Sequence, residues 1–122
     1  MLAGMTDTAT WDEACQLFNT GEYWECHEVL EPAWLAASGT ERQFLAGVIL
    51  LAAALFKARG GGNPRGGRRN YAKALRHLAV VPDGYAGVPV RDLEAEVHAA
   101  LRDAARMPQL PLGREVPAEE DA

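Results

Sequence analysis

The chain has 122 residues, 48% of them apolar and 24% charged, with a net charge of −5 at neutral pH. That length allows one hydrophobic core but not two, and abundant alanine with little β-branched or aromatic alternation points to an all-α fold. No basic start leads into an apolar stretch, the longest apolar run is the 13 residues from Phe44 to Phe56, and the two cysteines lack Cys-x-x-Cys spacing; a secretion signal, a bilayer span of ~20 residues and a disulfide or zinc-cluster scaffold are thereby disfavoured.

A cytoplasmic protein with no membrane partner is therefore expected. Residues 1–9 read as a mobile N-terminal tail, 10–106 as a single helical-bundle domain, and 107–122 as a tail rich in proline and acid. A capping box, Thr10 with Glu13 three residues on, opens a first helix that runs to about Asn19 and is ended by Gly21. A second helix follows from Glu22 to about Ala37, closed by Ser38-Gly39. Thr40 and Gln43 form another capping box for a third helix reaching about Arg59. Because it is apolar all round from Phe44 to Phe56, the third helix belongs at the centre of a compact bundle of about five helices.

Asn63 and Pro64 are a natural N-cap and first-turn pair for a fourth helix ending near Val80. Tyr71, Leu75 and Leu78 should face inward, with Arg69, Lys73 and Arg76 toward solvent. A loop from Pro82 to Pro89 leads to a fifth helix, about Val90 to Arg106, burying Leu93, Val97, Ala100, Leu101 and Ala104. His98 reads as a surface or boundary residue.

The chemistry concentrates between Glu22 and Trp34. At about 100° per residue, Cys26, Leu30, Tyr23, Trp34, His27, Glu31, Trp24 and Leu35 share one broad arc, which places His27 and Glu31 inside an apolar face. A buried carboxylate needs a partner or a raised pKa, and His27, four residues away, is the nearest one. The pair alone could fix helix packing. With Glu28 or His77 as a third group it could instead hold a divalent metal or do acid–base work, with Trp34 as a wall against water. Cys26 and His27 are neighbours and diverge by about 100°, so a thiol–imidazole dyad is not expected.

The charges are segregated. Residues 1–41 carry eight acids and no Lys or Arg, and residues 42–76 carry eight Lys or Arg and no acid. In the second block the loop from Gly60 to Arg69, with Asn63, Arg65 and Arg69, combines glycines, a helix N-terminus and arginines, a combination that suits an anion or an acidic partner. It lacks the Gly-Lys-Ser/Thr ending of a P-loop. One basic helix face on an acidic protein falls short of a nucleic-acid footprint, so nucleic acid is not expected as a partner. A wide apolar helix surface would also serve a homodimer.

His27-x-x-x-Glu31-x-x-Trp34, preceded by Phe18-Asn19-x-Gly21-Glu22-Tyr23, resembles the signature of the small bacterial and archaeal family called domain of unknown function 309. The similarity extends through Phe44-Leu45-x-Gly47-x-Ile49-x-Leu51-Ala52-Ala53, Gly62-Asn63-Pro64-Arg65-Gly66 and Ala72-x-x-Leu75. The resemblance implies a compact bundle of helices and a metal-binding role for the His27, Glu31 and Trp34 motif, without naming a reaction. Pro32 directly after Glu31 leads us to expect a kink there.

Overall fold

The computed structural model describes residues 5–115, and among them the chain forms five α-helices and no strand. These are α1 (Thr8–Asn19), α2 (Tyr23–Ala36), α3 (Gly39–Leu55), α4 (Pro64–Leu78) and α5 (Val90–Ala100). A π-helical turn, Phe56–Gly60, continues α3, and a 3-10 turn, Tyr85–Gly87, precedes α5. As expected, α3 is central, packed against α2, α4 and α5.

Two helices start a few residues before the position that the capping boxes suggest. Asp7, not Thr10, caps α1: its carboxylate accepts from the Thr10 amide at 2.7 Å. That hydrogen bond holds the Asp7 carboxyl below its ordinary pKa and moves the helix start upstream of the expected capping box. Likewise α3 begins behind Ser38 rather than Thr40. Its Gln43 does not complete a capping box but meets His77, with Oε1 2.8 Å from Nδ1. Asn63 caps α4 as the sequence suggests, accepting from the Gly66 amide at 2.9 Å with Pro64 in the first turn. Gly21, at φ +83°, supplies the left-handed residue that turns α1 into α2, and α2 continues through Pro32 to Ala36.

The core joins Trp11, Phe18, Leu30, Phe44, Leu51, Leu55 and Leu78 with Val88 and Leu110 from the connecting segments. Small residues let α3 and α4 approach closely, since a Cβ on Gly67 would stand 2.8 Å from the Ala54 carbonyl oxygen. Together α3 and the π-turn make a continuous 22-residue helix with an 18-residue window of mean hydropathy 1.4, long and apolar enough by length and composition alone to cross a membrane. More than half of its apolar window, 56%, is nevertheless buried within the bundle, which is the burial of a core helix.

The expected fifth helix is shortened, and α5 stops at Ala100 instead of Arg106. Arg59, swung out by the π-turn, donates to the carbonyls of Ala100, Asp103 and Arg106, so residues 101–106 curl round one guanidinium. A cation satisfying carbonyls at a helix C-terminus is favourable both as a hydrogen bond and against the helix dipole. Over residues 107–115 the segment read as a tail packs against the bundle. Leu110 and Arg114 are buried, the Pro111 carbonyl accepts from Trp11 Nε1 at 2.9 Å, and Asn19 pairs with the Leu110 backbone. Prolines stiffen this stretch without excluding it from packing. At the other end, the Thr6 amide is tied to Glu41 at 3.1 Å. Residues 1–4 and 116–122, which complete the two expected tails, lie outside the described residues.

Cys15 and Cys26 are fully buried free thiols, and burial pushes both up to about 12 from an ordinary value of 9.0. In the native protein both should resist iodoacetamide at neutral pH until unfolding exposes them. The folded protein holds these protons more tightly than the unfolded chain does. Their stabilising effect is therefore complete below about pH 9 and is lost as pH rises toward 12. Alkaline titration of the unfolding free energy should show a fall in that window, and a Cys15→Ala/Cys26→Ala variant should show a shallower one.

Candidate functional site

The buried stripe of α2 is narrow, comprising Tyr23, Cys26 and Leu30. The rest of the expected apolar arc lies at the rim of the bundle: Trp24 is 47% exposed and Leu35 60%. Glu31 shares that rim with a side chain 51% exposed, against 23% for His27. The expectation of a buried carboxylate is corrected accordingly, because α2 sits at an edge of the bundle and neighbours cover only part of its apolar arc. Glu31 stays hydrated and needs no partner to be there.

His27 and Glu31 do face one another, Nε2 to Oε2 at 3.4 Å. The imidazole stacks on the Trp24 indole with centroids 5.0 Å apart, and Trp24 in turn meets Phe56 at 5.4 Å. On the inner side, His27 Nδ1 is buried with no hydrogen-bond partner. Trp34 closes the other end beneath the Arg42 guanidinium, 4.7 Å from its ring. Between α2, α3 and α4, His27, Glu31 and Trp34 line a groove of about 250 Å³ with Ala46, Ile49, Leu50 and His77. His77 is oriented by Gln43, whose amide Oε1 lies 2.8 Å from Nδ1, and this contact fixes the plane of the ring at the groove's edge. Two imidazoles and one carboxylate thus border a small, otherwise apolar groove.

Glu28 does not join them. It is exposed on the opposite flank of α2, lining a groove with Thr10, Glu13 and Pro32. Among the described residues no three His, Cys, Asp or Glu side chains come together as a set that could hold a metal. The donor set at His27 and Glu31 therefore does not fit a preformed metal centre. Cys26 is buried in the core while His27 faces the groove, so the two form no dyad.

In the glycine loop, two of the amides at the start of α4 are already occupied, since Asn63 accepts from Gly66 through its side chain and from Gly67 through its carbonyl. Arg65 and Arg69 are exposed to solvent. A larger groove, about 630 Å³, opens beyond Trp24, but its guanidinium is Arg59, already committed to three carbonyls and to the Tyr23 hydroxyl at 3.3 Å. It is a structural clasp. Sequence reasoning saw His77 only as a spare donor. The Gln43 contact that orients it spans 34 positions and leaves no local signal.

The fold and this groove define a small all-α bundle with a histidine-bordered surface groove on its α2–α3 side. The chain belongs to the family described as a domain of unknown function, DUF309, whose profile matches residues 11–70 and so includes His27, Glu31 and Trp34. The crystal structure of a conserved hypothetical protein from Thermus thermophilus is 47% identical and superimposes with a TM-score of 0.68, covering 75% of this chain and 95% of that one. An uncharacterized protein of Aquifex aeolicus is 31% identical over 90 residues, which is 73% of this chain and 27% of the relative. The match thus spans about a quarter of that curated relative's length.

Proposed function

We infer that the groove between α2, α3 and α4 is a binding site for a small, largely apolar ligand with one hydrogen-bonding end. The observation that supports this reading is the convergence of His27, Glu31 and His77, from two helices, on one apolar groove of about 250 Å³. Concave, mostly apolar sites with a few convergent polar groups are where ligands bind. His77 Nε2 is the acceptor, or the base toward a ligand proton; the His27–Glu31 pair offers a donor and a hydrated carboxylate; Trp34 and Ile49 take the apolar body. The buried, unpartnered Nδ1 of His27 fits the same reading, because an unsatisfied polar atom costs the fold about 1–3 kcal/mol and is retained more readily where the side chain serves another purpose.

The test is an NMR fragment screen on the full chain, watching the His27 and His77 ring signals and the Trp34 indole. Fragments that shift all three in wild type and none in His77→Phe would support the site, and a screen in which these signals never move together would overturn it. Elemental mass spectrometry of wild type and a His27→Ala/Glu31→Ala variant runs in parallel. A near-stoichiometric metal, lost in a still-folded variant, would replace this reading with the metal one. For folding, His27→Leu should change stability by no more than about 1 kcal/mol, because removing the orphaned nitrogen offsets the lost stacking on Trp24. A loss of about 3 kcal/mol or more in urea unfolding would mark His27 as a packing residue instead.

A further inference from the structure

On the opposite side of α4 a second concavity, about 410 Å³, is lined by Arg68 and Tyr71 of α4 with His98, Leu101 and Arg102 at the end of α5. Nine positions separate Arg68 from His77, half a turn in angle, so this groove is independent of the one described above. Its basic groups are uncommitted. Arg91, also on α5, is engaged by the Leu78 and Val81 carbonyls and by Glu94, and Arg59 and Arg114 are likewise engaged. The guanidiniums of Arg68 and Arg102, by contrast, meet no hydrogen-bond acceptor or carboxylate among the described residues. Tyr71 is held in place, its hydroxyl donating to the Glu94 carbonyl at 2.9 Å and its ring 5.5 Å from that of His98. Two free guanidiniums and an imidazole facing one cavity of an acidic protein are an arrangement that an anion would complete.

We propose that this α4–α5 groove binds a small organic phosphate monoester. The two planar guanidinium forks meet the phosphate oxygens, His98 adds a donor, and Tyr71 with Leu101 offers an apolar wall to the organic part. Of the second sequence block only Arg68 takes part, joined by Arg102 from beyond the end of α5.

The experiment is an NMR titration of the full chain with inorganic phosphate and with phenyl phosphate, at low and at physiological ionic strength. Three proteins are compared: wild type, Arg68→Gln/Arg102→Gln, and a Lys73→Gln/Arg76→Gln control on the exposed face of α4. The expected result is saturable shifts at His98 and Arg102, severalfold tighter for phenyl phosphate than for phosphate and weakened severalfold by salt. Those shifts should survive in the control and vanish in Arg68→Gln/Arg102→Gln at an unchanged melting temperature. The proposal is overturned by shifts that never saturate, by binding retained in Arg68→Gln/Arg102→Gln, or by equal shifts along Arg65, Arg69, Lys73 and Arg76, which would mark general counterion attraction.

Discussion

Replacing Arg114 with alanine is expected to cost the fold about 3–5 kcal/mol, the largest effect of any single polar substitution in the chain. Arg114 and Glu41 form an ion pair with side chains only 1% and 2% exposed, Nη2 to Oε2 at 2.6 Å. Glu41 also accepts from the Thr6 amide at 3.1 Å and the Tyr85 hydroxyl at 2.9 Å, so one carboxylate gathers four distant parts of the chain. The guanidinium lies 5.4 Å from each of the Trp11 and Phe44 rings, which hold it by cation–π attraction. Removing the cation leaves a carboxylate buried without its counter-charge.

The intact pair contributes less than its breakage costs, because Arg114 Nε and Nη1 are buried without partners and two charges have been taken out of water. Glu41→Leu/Arg114→Met should therefore be markedly more stable than either single variant. Urea unfolding measures all four proteins. With total stabilities of about 5–15 kcal/mol for such domains, Arg114→Ala should lower the melting temperature by on the order of 10 °C or more. A loss below about 1 kcal/mol would show that the C-terminal segment contributes nothing to the fold.

The second large effect is expected at Gly47. A methyl group built there overlaps Cγ and Cδ2 of Leu78, a fully buried side chain of α4. Gly47→Ala gains about 1 kcal/mol of helix propensity and loses about 1–3 kcal/mol to overpacking. Gly47→Val adds further atoms against the same side chain and should lose about 3 kcal/mol or more. Leu78→Ala alone opens a cavity and costs about 2–5 kcal/mol, yet it also makes room for the new side chain. The Gly47→Val/Leu78→Ala variant should then be more stable than the sum of its parts by about 1–3 kcal/mol. Strict additivity would mean that α3 and α4 can separate at little cost.

Much of this architecture was legible in the residues. The all-round apolar run from Phe44 to Phe56 marked α3 as the centre, Asn63-Pro64 marked the start of α4, and the exposed row Arg69, Lys73 and Arg76 lies on the solvent face as expected. These are statements about neighbours along one helix, set by a 3.6-residue period and by capping within a turn.

What the residues did not reveal depends on which surfaces other segments cover. A helical wheel orders His27, Glu31, Trp24 and Leu35 correctly, but the width of the buried arc is set by the bodies packed against it. Edge placement of α2 leaves Glu31 in water. The end of α5 is decided by Arg59, some 41 positions away from Ala100. Glu41 resembles an ordinary first-turn acid until Arg114, 73 residues on, folds over it. His77 acquires its orientation from Gln43, and His98 and Arg102 acquire theirs beside Arg68, only once the helices are packed together. Periodicity and capping act over a few residues and are written in the chain; burial and the pairing of distant charges arise from long-range packing, so only the assembled bundle could show them.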